Sequence, residues 1–68
     1  MNEDALNASV RRFLKKVGIT SQREIEKAVR AAVSGGRLKG NETLSAKATV
    51  QIGDLNLVVE IGDSIALE

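Results

Sequence analysis

Apolar residues recur every three or four positions along the first half of this chain and every second position along the second half. The change falls at Gly35-Gly36 and separates a helical segment from a sheet segment. In the first half, Leu6, Val10, Phe13, Leu14 and Val17 form one stripe at helical spacing, which predicts a helix over about 3–17. Glu3 and Asp4 suit its positive end, Lys15 and Lys16 its negative end, and Gly18 is a natural stop. Ser21 followed by Glu24 makes a capping box that opens a second helix over about 21–34. Ile25, Ala28, Val29, Ala32 and Val33 form its stripe, and Gly35-Gly36 ends it. A polar connection spans 35–43, anchored by Leu38 and turned at Gly40-Asn41.

In the second half, Leu44, Ala46, Ala48, Val50 and Ile52 alternate with polar residues, which predicts a strand over about 44–52. Gly53-Asp54 reads as a two-residue turn into a strand over about 55–61. That turn pairs Ile52 with Leu55, Val50 with Leu57, Ala48 with Val59 and Ala46 with Ile61. A further turn at Gly62-Asp63 leads to a third strand over about 64–67, in one of two registers. A two-residue loop puts Ile65 and Leu67 on the outer face with Val58, which implies a partner. A bulged loop through Ser64 turns Ile65 and Leu67 inward and implies a tidier monomer.

Together these elements predict an α+β domain covering residues 1–68. Two N-terminal helices pack on a three-stranded antiparallel meander in the order helix, helix, strand, strand, strand. Such a sheet has two open edges. A domain of 68 residues also buries too little surface to be comfortably stable. Cys and His are absent and Phe13 is the sole aromatic residue, so disulfides, ordinary zinc sites and an aromatic core are unavailable. Self-association remains. A homodimer is expected, with Val58, Ile65 and Leu67 as candidate contacts and strand exchange hinged in the polar connection.

Charge adds a second candidate. All ten basic residues lie between Arg11 and Lys47, opposed there only by Glu24, Glu26 and Glu42. Arg11, Arg12, Lys15 and Lys16 lie opposite the first stripe, and Arg23, Lys27 and Arg30 lie opposite the second. These faces could contact nucleic-acid phosphates, although a solvated helix surface is the commoner explanation of such residues. No aromatic residue is placed to stack on bases. Phe13, Val17, Gly18 and Ile19 match part of a DNA-binding helix–turn–helix. The next two core positions of that motif fall on Glu24 and Lys27, one residue away from Ile25 and Ala28, and Leu14 occupies a position that needs a small side chain. A plain helical hairpin is the better reading.

Catalytic chemistry finds no recognisable constellation, and neither a cofactor nor a metal is expected. Turn chemistry explains Asp54 and Asp63. Glycines 35, 36 and 40 make no phosphate loop, because no strand precedes them and no helix follows. The acidic start is unlike a secretory signal, and no apolar run reaches the ~18 residues of a membrane span, so a cytoplasmic location is expected.

The runs Phe13–Arg30 and Leu38–Leu44 and the ending Ile65-Ala66-Leu67-Glu68 give the chain the look of a known group. It resembles a family of short, uncharacterised bacterial proteins, mostly proteobacterial. The resemblance implies a stand-alone cytosolic protein and carries no activity or site residue with it. The leading expectation is a non-catalytic homodimeric interaction or accessory module, whose partner is itself or an unidentified protein. The alternative is a nucleic-acid-binding protein using the basic helix faces.

Overall fold

A computed structural model describes residues 1–68 and divides them into two compact units, Met1–Arg37 and Leu38–Glu68. The first unit is one helix, α1, over Glu3–Ser34. Asn2 caps it by accepting the Ala5 N–H on its side-chain oxygen at 3.0 Å, which satisfies one of the four amides that a helix start leaves unpaired. Glu3 and Asp4 lie in the first turn. At the other end, the Gly36 N–H donates to Val33 O and the Arg37 N–H to Ala32 O. This is a Schellman closure, and Gly36 takes the left-handed conformation it requires, with φ 79°.

The expected break between two helices does not occur: α1 runs unbroken through Gly18, Ile19, Thr20 and Ser21. Glycine inside a helix costs about 1 kcal/mol relative to alanine. Stopping at Gly18 would instead leave two more helix ends with unpaired carbonyls and amides, while continuing adds one hydrogen bond per residue. Nothing lies within 4 Å of where a Gly18 side chain would begin, so no close contact demands glycine there.

The second unit is an antiparallel hairpin of β1 (Thr43–Ile52) and β2 (Leu57–Ala66). Gly53–Leu55 wind one turn of 3-10 helix, and Asn56 closes the loop in the left-handed region with φ 52°. Asparagine tolerates that conformation better than most residues. The connection is therefore wider than a two-residue turn at Gly53-Asp54. Ile52 pairs with Leu57, Val50 with Val59 and Ala48 with Ile61. This register differs from the expected one by two residues. An even shift leaves every side chain on its expected face, which is why the alternation survives the change of loop.

The expected third strand is also absent. Gly62 and Asp63 sit inside β2, paired with Lys47 and Ala46. Because β1 extends back to Thr43, a straight β2 can pair along its whole length. The ladder continues past β2, where the Leu67 N–H donates to Glu42 O at 2.9 Å. The fold is thus α+β with one helix and a two-stranded sheet, in place of two helices on a three-stranded meander. No residue is buried.

Candidate interaction surfaces

A single helix joins two stripes that the sequence presents separately. Val17, Val29 and Ala32 are half-buried along it. Leu6, Val10, Phe13, Leu14, Ile25 and Val33 stay 38–48% exposed. Near its middle, Phe13, Lys16, Val17, Thr20 and Ser21 line a shallow open hollow. At ~100° per residue, Arg12, Lys16, Arg23, Lys27 and Arg30 fall on one ridge on the side away from the stripe. Arg11 and Lys15 flank the stripe instead. Of these basic groups, the Arg30 guanidinium binds Glu26 at 3.0 Å one turn away. Ile19 lies along the ridge and is 52% exposed.

The hairpin has one apolar and one polar face. Leu44, Ala46, Ala48, Val50 and Ile52 share the first with Leu57, Val59, Ile61 and Ile65. Asp63 is the one charge on that face, and its carboxylate accepts the Ser64 N–H at 2.7 Å. The polar face carries Thr49, Gln51 and a long Lys47–Glu60 ion pair of 3.9 Å. Val58, Ile65 and Leu67 do not form one patch. Val58 lies on the polar face and Ile65 on the apolar face. Without a turn at Gly62-Asp63 the alternation runs on, and it puts Leu67 on the Ile65 side.

Glu42 has a role that was not legible in the sequence. Its carboxylate accepts the backbone N–H groups of Lys39 at 2.8 Å, Gly40 at 2.9 Å and Asn41 at 3.2 Å. The Lys39 and Gly40 amides hold its carboxyl below the ordinary value. The clamp is possible because Gly40 takes φ 103°, which turns the preceding amides toward the carboxylate. The signal was Gly40 two residues before an acid. Glu42 thus holds the start of the hairpin together.

The model of a protein family, DUF6494, matches residues 1–68. The chain belongs to this family of unknown function. Neither the curated proteins nor the solved structures contain a match to it. In this DUF6494 chain no helix is long and apolar enough to cross a membrane. No group of three or more His, Cys, Asp or Glu side chains is placed to hold a metal ion. What its geometry does present is two apolar faces and one basic ridge.

Proposed function

We propose that this DUF6494 protein is a non-catalytic homodimeric interaction module in which each copy covers apolar surface of the other. The observation that carries this reading is the exposure of both apolar faces. A helix in water owes most of its stability to packing one face, and an isolated two-stranded hairpin is marginal at best. Covering the open halves of Leu6, Val10, Phe13, Leu14, Ile25 and Val33 would contribute about 1 kcal/mol per side chain. Light scattering from micromolar to high micromolar concentration tests the reading. Twice the chain mass supports it, and a monomer throughout contradicts it.

The continuous helix favours one second reading. It brings Arg12, Lys16, Arg23, Lys27 and Arg30 into register along roughly 27 Å of one face, a layout suited to a polyanion such as duplex nucleic acid. Binding of this kind would weaken steeply between low and physiological salt. Replacing Arg12, Lys16, Arg23 and Lys27 with Ala would abolish it while leaving the helix content intact. Binding that ignores salt would contradict this reading.

A further inference from the structure

Resting on the homodimer proposed above, we infer that the α1 stripe is covered by the same stripe of a second copy, running antiparallel about a two-fold axis level with Ile19. Three features of α1 point to this arrangement and to this occupant.

The first is residue size. The N-terminal half of the stripe carries Leu6, Val10, Phe13 and Leu14, while the C-terminal half carries Ser21, Ala28 and Ala32 between its larger residues. About an axis at Ile19, Leu6 is level with Ala32, Val10 with Ala28 and Val17 with Ser21. Each of these levels sets a larger side chain against a smaller one. Phe13 is level with Ile25. A parallel pair would set Phe13 against Phe13 and Ala28 against Ala28, crowding one end and leaving gaps at the other.

The second is charge. Arg11, Arg12, Lys15 and Lys16 cluster in the first half of α1, and its acids beyond the first turn, Glu24 and Glu26, lie in the second half. The antiparallel pair brings Glu24 of the second copy level with Leu14, and its Glu26 level with Arg12. Both acids then stand among the basic cluster, Glu26 on the flank of Arg11 and Lys15 and Glu24 on that of Lys16. A parallel pair would stack the two basic clusters at one level, where like charges repel. The rest of the ridge, Arg12, Arg23, Lys27 and Arg30, faces away from the stripe on both copies, and Lys16 lies at the edge of the contact.

The third is shape. The shallow hollow lined by Phe13, Lys16, Val17, Thr20 and Ser21 lies level with the proposed axis, on the Lys16 flank of the stripe. Glu24 of the second copy, on the same flank, stands beside it.

The chain has no cysteine, so a single Asp4→Cys change gives one unambiguous attachment point for a nitroxide spin label. Asp4 lies in the exposed first turn, away from the stripe residues named above. In the antiparallel dimer the two labels stand about 45 Å apart along the helix axes. In a parallel dimer they stand within about 20 Å of each other. Pulsed electron–electron distance measurement on the full chain, with its mass measured on the same sample, separates the outcomes. A dimer with a distance near the longer value supports the pairing. A dimer with any other dominant distance overturns the pairing and leaves the homodimer standing. A monomer overturns both.

Discussion

The helix and the hairpin solve the same problem with different completeness. Both carry an apolar face that their own backbone cannot cover. α1 satisfies almost all its backbone groups internally, closing its ends with Asn2 and the Gly35-Gly36 turn. Only its stripe then needs a neighbour. The hairpin pairs its strands along one side each and leaves two edges open. It guards its surface with Asp63 on the apolar face and a Lys47–Glu60 pair on the other. The helix is thus the unit better suited to a specific, repeatable contact, and the hairpin the unit that needs protection from unspecific ones.

The largest effect should come from placing a charge on each apolar face in turn. Phe13→Asp puts a carboxylate in the proposed contact, where an unpaired buried charge costs about 3 kcal/mol or more. The dimer dissociation constant should rise by at least about 100-fold in sedimentation experiments. Ile61→Asp, on the hairpin face, should leave the mass unchanged while loosening the strand pairing seen by amide exchange. If Ile61→Asp dissociates the dimer and Phe13→Asp does not, the roles of the two units are reversed.

Two glycines sharpen the comparison within α1. Gly36 has φ 79°, so Gly36→Val should lower stability by about 1–2 kcal/mol in urea unfolding. Gly18 has helical neighbours on both sides and open space beyond its α-carbon. Gly18→Ala should therefore raise stability by about 1 kcal/mol and increase helix content. A loss of stability at Gly18 would mean that the helix does end there.

The smallest effect concerns the Glu42 clamp. Its carboxyl titrates below the ordinary value in the folded chain. Its contribution is therefore complete above the ordinary carboxylate range and fades as pH falls through the lowered value. Nuclear magnetic resonance should show the Lys39, Gly40 and Asn41 amides shifting together through that acid transition. In Glu42→Gln the shared transition should be gone.

Periodicity was the reliable part of the sequence, and punctuation the misleading part. The helical stripe, the alternation of Leu44 to Ile52 and the ends of the helical segment at Asn2–Glu3 and Ser34–Gly35 all follow from side-chain pattern and end chemistry. Gly18 with the Ser21–Glu24 box looked like a break, and Gly62-Asp63 looked like a turn. Each is a local preference of about 1 kcal/mol, too small to interrupt hydrogen bonding that continues on both sides. The candidate surfaces changed for the same reason. The basic residues of the two expected helices could be seen individually, but their alignment into one ridge depends on α1 crossing Gly18 unbroken. Val58, Ile65 and Leu67 were grouped only by a turn that does not form. Glu42 was hidden because its partners are backbone amides, which no side-chain pattern records.

No residue of the single chain is buried, and in the proposed dimer a second copy supplies the cover. Thermal unfolding followed by circular dichroism over a wide range of protein concentration tests it most directly. For a fold stabilised by its own dimer, Tm rises steadily with concentration. A Tm that stays constant over that range would contradict the claim and place the stability within the single chain.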